Sequence, residues 1–440
     1  MSPSLSFAFR ARSLGSRPPF GKVTVPTLSH TSHIRLYAAT SVAGNSTSGT
    51  GGSKPRAGSG AFKPRAGSRR SPSMEQDSLV PKHEFVGRRY DAPPGPSEFP
   101  EWAFEPRDFF SFEVLHQSSK SGARVGRIHT PHGVIDTPSY VAVATNAALK
   151  GVSFRDADAA GQQLVFSNTY HLMVHPGPDK VAEAGGIHKF TNRQNRPFIT
   201  DSGGFQIFSL AHGSVQRDLA SKGELKRTAT KGDGQQDNYK SAESLKVTEE
   251  GVSFRSYRDG SNILLTPEST VQAQKKIGAD IIIPLDELPS YYTHHVRLMQ
   301  AVERTHRWEA RSLKEHLKDV KQQAMFCVIH GGIDPELRRK SVDYLTSLPF
   351  DGYAIGGSLG NGREELKNLL SWLMPMMNEG DRPKKPRHLL GIADEESIRN
   401  GVLEGIDTFD SAFPTKYVLC IDDNQKALAP YSFALPLLLY

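Results

Sequence analysis

Seven short apolar runs, each followed directly by polar residues or glycine, recur along the chain from residue 164 onward. They are 164–170, 197–204, 280–287, 325–332, 353–357, 388–394 and 407–413. Runs this short and this continuously apolar are typical of strands buried on both faces of a parallel sheet. An earlier segment, 125–144, carries strand-like residues on both sides of His132-Gly133 and predicts a β-hairpin.

Helix signals occupy the segments between these runs. Thr266-Pro267-Glu268 places a capping residue before a proline at the first helical position, and predicts a helix to about Ile277. Further helices are predicted at 294–318, from Asp334-Pro335-Glu336 onward, at 363–377 and at 394–403. Strands that alternate with helices indicate an α/β fold with a parallel sheet.

Polar residues and glycines stand at the ends of many of the predicted strands. They are Asp201, Asp286, His330, Gly357, Gly391 and Asp410. Active-site residues collect on the carboxyl rim of a (β/α)8 barrel, whereas a doubly wound open sheet concentrates its site at one switch point. Because at least six strand ends carry candidates, we predict a (β/α)8 TIM-type barrel with an N-terminal β-hairpin region. The doubly wound sheet is the structural alternative.

Composition divides the chain into segments around that barrel. Residues 1–74 are rich in Ser, Gly and Arg and lack acids, which is typical of a transit peptide followed by a disordered basic leader. A Pro-rich linker is predicted at 75–106 and the barrel at 107–416, interrupted by an inserted polar loop at 216–246. Arg35-Leu36-Tyr37-Ala38 resembles a mitochondrial processing site. We therefore expect a mitochondrial protein, with a plastid or the cytoplasm as alternatives.

Charge and cysteine content limit the classes of function. The net charge is +7, but the leader holds eleven basic residues, so the remainder has 43 basic and 47 acidic residues. Any RNA must therefore be bound by local patches. Two cysteines, Cys327 and Cys420, are too few for a disulfide scaffold. No apolar run is long enough to predict a membrane span.

Two carboxylates at strand ends suggest a displacement reaction at a sugar carbon. Asp201 follows Phe198-Ile199-Thr200 and precedes a Ser-Gly-Gly turn, and Asp410 stands between two aromatic residues. If one carboxylate attacks the anomeric carbon of a sugar and the other transfers protons, a retaining double displacement results. A strand-end aspartate taken alone is more often a helix cap or an ion-pair partner.

Several motifs occur in an order that resembles the tRNA-guanine transglycosylase family. They are FSNTYHLMVHPG, ITDSGGFQIFSLA, EEGVSFRSYRDGS, LLTPE, GADIIIPLDE, DGYAIGG, LLGIADEES and GIDTFDSAFPTK, and they lie within 122–416. The resemblance implies an enzyme that replaces guanine at the anticodon wobble position of tRNA by queuine or a related 7-deazaguanine. It also implies a covalent enzyme–RNA intermediate, and a homodimer or a heterodimer with a related subunit.

The resemblance also implies a role for each matching residue. Asp410 would be the nucleophile and Asp201 the proton acceptor and donor. The base pocket would be formed by Asp201, Ser202, Gly203, Gly204, Phe205, Asp286, His330 and Gly357. RNA would be met, in part through backbone N–H groups, by Gly391, Ile392, Ala393, Asp394, Glu395, Glu396, Ser397, Thr415 and Lys416.

The chain departs from the family pattern in two places that matter for function. His330 stands where the family has glutamine, and imidazole cannot both donate and accept as a primary amide does. After Lys416 the non-matching tail, 417–440, contains one cysteine, whereas the resemblance implies a zinc site of three cysteines and one histidine. We expect a missing or truncated zinc lobe and no zinc or other cofactor. The alternative function is a catalytically impaired or non-catalytic tRNA-binding or partner-binding subunit, or a truncated isoform.

Overall fold

The computed structural model describes residues 91–212, 245–256, 258–412 and 414. The predicted leader 1–74, nearly all of the inserted loop 216–246 and the tail 417–440 lie outside the described residues.

The strands and helices that the sequence predicts occur in the predicted order, among further elements that it does not predict. The strands are β1 (Ser111–Gln117), β2 (Arg124–Thr130), β3 (Gly133–Thr137), β4 (Ser139–Val143), β5 (Val165–Ser167), β6 (Phe198–Thr200), β7 (Lys246–Val247), β8 (Val252–Arg255), β9 (Asn262–Leu265), β10 (Ile281–Ile282), β11 (Ala324–Ile329), β12 (Gly352–Ile355), β13 (Arg387–Leu389) and β14 (Thr408–Ser411). The α-helices are α1 (Phe154–Ala159), α2 (Thr169–Val174), α3 (Pro178–Glu183), α4 (Ile187–Phe190), α5 (Gly204–His212), α6 (Pro267–Ile277), α7 (His295–Leu317), α8 (Pro335–Thr346), α9 (Arg363–Met376) and α10 (Glu395–Glu404).

Eight parallel strands close into a barrel in the order β10, β11, β12, β13, β14, β4, β5 and β6. The (β/α)8 fold class is therefore confirmed, and the doubly wound alternative is wrong because the sheet has no open edge. Each of the seven apolar runs overlaps one barrel strand. The eighth, β4, comes from the segment predicted as a hairpin, of which only β2 and β3 form the antiparallel pair.

Local capping sets the boundaries of the helices that were predicted. At the start of α6, the Thr266 hydroxyl accepts a hydrogen bond from the backbone N–H of Ser269, and Pro267 occupies the first turn. Gly278 ends the helix with a φ of 76°, a left-handed conformation that glycine adopts without steric cost. Asp334 and Asp394 cap α8 and α10 through their side chains in the same way.

The three-stranded sheet of β1, β2 and β3 closes the amino end of the barrel. Ile128 and Ile135 from this sheet belong to the same buried cluster as the barrel residues Val141 and Ile199. An ion pair between Arg124 and Asp407, 2.5 Å from Nη2 to Oδ2, is buried at the same end. Because this end is filled by side chains, a substrate can approach the strands only from the carboxyl rim.

The predicted linker 75–106 extends too far toward the barrel. From residue 91 onward the structure is described, and Phe99 and Ala103 are buried in the core cluster that also contains Leu313 and Leu345. The Tyr344 hydroxyl donates a hydrogen bond to the carbonyl of Pro94. The boundary was misplaced because proline and glycine around residue 95 indicated a spacer, although the aromatic residues after them supply apolar area to the core. Within the described residues, no helix is long and apolar enough to cross a membrane.

Candidate active site at the carboxyl rim of the barrel

Asp201 is the first residue after β6 and is held by three hydrogen bonds. Its Oδ2 accepts from Asn168 Nδ2 at 2.8 Å and from Gln206 Nε2 at 3.1 Å, and its Oδ1 accepts from the backbone N–H of Thr169 at 2.8 Å. The side chain is only 8% exposed. The donors come from the rim after β5 and from the first turn of α5, so the carboxyl group has a fixed position at the mouth.

Burial, with a smaller contribution from the charge of Asp410, raises the pKa of Asp201 from 3.8 to about 6. The three donors oppose this rise because they favour the ionised form. Loss of solvation is the larger effect. A carboxyl group with a pKa near neutrality can both give and accept a proton under physiological conditions, which is the property that a general acid–base group needs.

Asp410 is the third residue of β14 and is 7% exposed. Its Oδ1 accepts hydrogen bonds from His388 Nε2 at 3.0 Å and from the backbone N–H of Gly391 at 2.9 Å. Within the described residues no donor is bonded to Oδ2. One oxygen is thus fixed by the protein, and the other is available to a substrate.

Asp201 and Asp410 lie on one rim of one closed sheet. Strand β14 is separated from β6 by β4 and β5 in the barrel, and all of these strands run in the same direction. The two carboxyl groups therefore belong to the same mouth, and they are close enough for the charge of Asp410 to raise the pKa of Asp201. Both acids therefore stand at the carboxyl ends of barrel strands, which is the placement that the strand pattern predicts.

Asp286 and His330 form a second polar pair on this rim. Asp286 follows β10, His330 follows β11, and His330 Nε2 lies 3.1 Å from Asp286 Oδ2. The approach lacks hydrogen-bond geometry, so this buried nitrogen has no hydrogen-bond partner among the described residues. A donor-rich ligand at Asp286 would meet one acidic and one imidazole side chain.

Glycines let the backbone approach these side chains closely. Gly203 has a φ of 83°, and a Cβ there would lie 2.9 Å from the backbone nitrogen of Tyr170. Gly357 has a φ of 73°, and a Cβ there would lie 3.0 Å from His330 Nδ1. Ser202 accepts a hydrogen bond from the N–H of Gly204 at the start of α5, and Phe205 beside it is 41% exposed.

The stretch 391–397 differs from the RNA-binding segment that the resemblance implies. The N–H of Gly391 is bonded to Asp410, and the N–H of Ser397 is bonded to Oδ1 of Asp394, the cap of α10. Ile392 and Ala393 are buried in the core. The N–H groups of Gly391 and Ser397 are therefore used by the chain itself and do not offer the RNA contacts predicted for them.

The remaining predicted RNA-binding residues are acidic or lie outside the described residues. Asp394 and Glu396 form ion pairs with Arg363, and Glu395 is exposed in the first turn of α10. Their negative charge opposes contact with phosphate. Thr415 and Lys416 lie outside the described residues.

His132, His188 and Asp280 form one cluster, within the part of the chain that the structure describes, whose ligand atoms lie close enough to hold a metal ion. However, Asp280 already accepts four hydrogen bonds: from the ring and backbone N–H groups of His132, from His188 Nε2 and from the backbone N–H of Phe198. The cluster lies at the amino end of the barrel. The carboxyl group of Asp280 is satisfied by the protein, so the cluster is explained as a structural link.

Three residues that hold the two acids, and a fourth that is bonded to one of those three, were not identified from the sequence. They are Asn168, Gln206, His388 and Thr408. Asn168 and His388 lie inside predicted strand segments, where a polar residue that breaks an apolar run was the available signal.

Comparison with known proteins places the chain in a family. The family model described as Queuine tRNA-ribosyltransferase matches residues 118–222 and 226–419, and so extends across most of the segment that we expected to be an insertion. The Queuine tRNA-ribosyltransferase of Protochlamydia amoebophila (strain UWE25) is 54% identical over 308 residues, which is 70% of this chain and 75% of that protein. The protein of the same name from Chlamydia abortus (strain DSM 27085 / S26/3) is 52% identical over 305 residues, 69% of this chain and 76% of its own length. The chain belongs to the Queuine tRNA-ribosyltransferase family, as the order of its motifs predicts.

Proposed function

We propose that this chain is a tRNA-guanine transglycosylase that replaces guanine at the wobble position of tRNA by queuine or a related 7-deazaguanine. The observation that carries this proposal is the pair of buried acids, Asp201 and Asp410, on one barrel rim in a chain of this family. The reaction belongs to queuosine modification of tRNA. It needs no redox or energy-supplying cofactor, because one glycosidic bond replaces another.

In the first step Asp410 attacks the ribose. Its Oδ2 forms a bond to C1′ while the bond from C1′ to N9 of guanine breaks, and the electron pair of that bond goes to the base. Asp201 in its protonated form supplies the proton that the departing guanine takes up. The product is a covalent ester between Asp410 and the RNA, with Asp201 ionised.

The second step reverses the first with another base. The incoming base gives its N9 proton to Asp201, N9 bonds to C1′, and the electron pair of the ester bond returns to Asp410. Two displacements at one carbon retain the configuration of the ribose. The pKa of about 6 suits Asp201 to both proton transfers.

Recognition of the base is assigned to Asp286. A carboxylate can accept two parallel N–H donors, which the guanine edge provides at its ring nitrogen and its exocyclic amine. His330, 3.1 Å away, limits the space beside Asp286 and offers one ring nitrogen to the base. The turn from Ser202 to Phe205 and the backbone at Gly357 complete the pocket.

The alternative of a non-catalytic subunit is not favoured. Such a subunit has no need to keep two acids buried, oriented and facing the same mouth, because burying carboxylates costs free energy. Dimer formation with a second copy or a related subunit remains a proposal that size-exclusion chromatography with light scattering would test.

Import into mitochondria is proposed from the composition of residues 1–74. A fusion of this segment to a fluorescent protein would accumulate in mitochondria. Plastid or cytoplasmic fluorescence would contradict the proposal.

Incorporation of radiolabelled guanine tests the activity directly. We expect the full chain to exchange label into a tRNA that carries guanine at the wobble position, and not into the same tRNA with adenine there. Asp410→Asn and Asp201→Asn should abolish or strongly reduce exchange. Asp343→Asn, which changes an exposed acid on α8, is the matched control and should keep it. A folded wild-type chain without incorporation would overturn the proposal.

A further inference from the structure

His388 is a fully buried imidazole whose two ring nitrogens are both bonded next to Asp410. Its Nε2 lies 3.0 Å from Asp410 Oδ1, and its Nδ1 lies 2.8 Å from the hydroxyl oxygen of Thr408. His388 and Thr408 face each other in register across β13 and β14. The array Thr408–His388–Asp410 is therefore built into the barrel wall by strand pairing.

The partners determine which nitrogen carries the proton. An ionised carboxylate only accepts hydrogen bonds, so Nε2 must be the donor to Asp410. In the neutral imidazole Nδ1 is then the acceptor, and the Thr408 hydroxyl donates to it. Thr408 thus fixes the tautomer that His388 needs in order to support the carboxylate.

Both described donors to Asp410 bind the same oxygen. His388 Nε2 and the backbone N–H of Gly391 converge on Oδ1. This arrangement fixes the rotation of the carboxyl group and leaves Oδ2 without a bonded donor among the described residues. The ring of His388 also packs parallel to that of Phe166, with centroids 6.0 Å apart and an interplanar angle of 20°.

We propose that His388 is a positioning residue for the nucleophile and that it acts mainly on release of the RNA from Asp410. This inference rests on the proposed function, in which Oδ2 of Asp410 forms the ester. When the ester forms, Asp410 loses its charge and the hydrogen bond at Oδ1 weakens. When the ester bond breaks, its electron pair returns to the carboxylate, and the His388 donor stabilises the charge that reappears.

The side chain offers two informative substitutions. His388→Phe keeps an aromatic ring beside Phe166 but removes the donor. His388→Gln replaces the imidazole by an amide that can donate to Asp410 and accept from Thr408. Because a hydrogen bond to a charged group contributes about 1.5–3 kcal/mol, loss of the donor should slow turnover about ten- to hundredfold.

Single-turnover kinetics provide the main test. In His388→Phe we expect the covalent complex to form but to persist, because release slows more than formation, with little change in the tRNA concentration at half-saturation. His388→Gln should restore most of the release rate. His116→Phe, at an exposed position of β1, is the control for loss of an imidazole. Equal losses in the Phe and Gln variants, or release unchanged in His388→Phe, would overturn the inference.

A second measurement does not depend on activity or on the stability of the Phe variant. In protein labelled with 15N-histidine, the His388 resonances, assigned from their loss in His388→Gln, should show a protonated Nε2 and an unprotonated Nδ1. Thr408→Val should shift this tautomer equilibrium. The opposite tautomer in the wild type would overturn the inference. Lack of guanine incorporation by the wild type would instead contradict the proposed function, while the tautomer would still test the His388 bond.

Discussion

Asn168 donates a 2.8 Å hydrogen bond from Nδ2 to Oδ2 of Asp201, across 33 residues of sequence. Asn168 follows β5 and Asp201 follows β6, which are neighbouring strands paired in parallel. The barrel therefore brings the amide and the carboxyl group together at one rim. This contact, with those from Thr169 and Gln206, keeps the buried acid partly ionised although burial favours its neutral form.

The raised pKa of Asp201 predicts a pH-dependent cost to stability. The folded-state pKa of about 6 exceeds the ordinary value of 3.8. Between pH 3.8 and about pH 6, the folded state therefore binds a proton at Asp201 that the unfolded state does not. The stability that this proton provides is lost as the pH rises through about 6. Relative to Asp201→Asn, wild type should lose on the order of 3 kcal/mol of unfolding free energy between about pH 4 and about pH 7. Urea unfolding at several pH values measures this, and a pH-independent difference would contradict it.

The shifted pKa of Asp280 should have the opposite effect on the pH dependence of stability. Burial raises its pKa, but hydrogen bonds from His132 and His188 outweigh burial and lower it to about 2. A lowered carboxyl pKa provides stability at neutral pH that is lost as the pH falls through about 2. Asp280→Asn should therefore reduce the unfolding free energy at neutral pH by about 2 kcal/mol or more.

Asp108→Asn, at an exposed position before the barrel, is the control for removing an aspartate from this chain. It should leave the neutral-pH unfolding free energy nearly unchanged. Equal effects of the two substitutions would show that the histidine cluster does not stabilise the fold.

Base recognition by Asp286 predicts a selective kinetic defect. Asp286→Asn replaces one accepting oxygen by an amide N–H₂, which faces an N–H donor of the base. That donor loses its charged hydrogen bond and is left unpaired. We expect the KM for guanine to rise about tenfold or more, with the affinity for tRNA little changed. Competition with unlabelled guanine in the exchange assay measures the first and filter binding the second. An unchanged KM for guanine would exclude Asp286 from the base pocket.

Substitution of two glycines distinguishes the cost of backbone strain from the cost of a steric clash. Gly161 and Gly203 both have left-handed φ values, 91° and 83°, but a Cβ meets nothing within 4 Å at Gly161, whereas at Gly203 it lies 2.9 Å from the Tyr170 backbone. Gly161→Ala should cost about 1 kcal/mol from strain alone. Gly203→Ala should cost more and should also reduce base exchange, because it displaces the turn after Asp201. Thermal unfolding of both variants tests this, and equal costs would contradict it.

Much of the fold could be predicted from the sequence because barrel strands are short apolar runs that end in polar residues. The strand β4 was assigned to the hairpin because its apolar residues follow β3 with only Pro138 between them. Its parallel pairing with β14 and β5 assigns it to the barrel. The packing of Phe99 was missed for a related reason. The composition of a segment does not reveal whether its aromatic residues reach a distant core.

The two acids of the candidate site could be predicted from the sequence, but the residues that hydrogen-bond to them could not. Asp201 and Asp410 follow from strand ends together with the family resemblance. The roles of Asn168 and His388 depend on which strands are neighbours, and sequence spacing does not contain that information. The family resemblance assigned Gly391 to RNA, but its N–H is bonded to Asp410.

Mapping the covalent complex with RNA is the most direct test of the central claim, that Oδ2 of Asp410 attacks the ribose. Wild type, Asp410→Asn and the control Asp343→Asn would be incubated with tRNA, denatured, and separated by electrophoresis, and the modified peptide would be identified by mass spectrometry. We predict a complex in wild type and in the control, attached at Asp410, and none in Asp410→Asn although that variant still folds and binds tRNA. A complex of undiminished yield in Asp410→Asn, or one attached to another residue, would contradict the account.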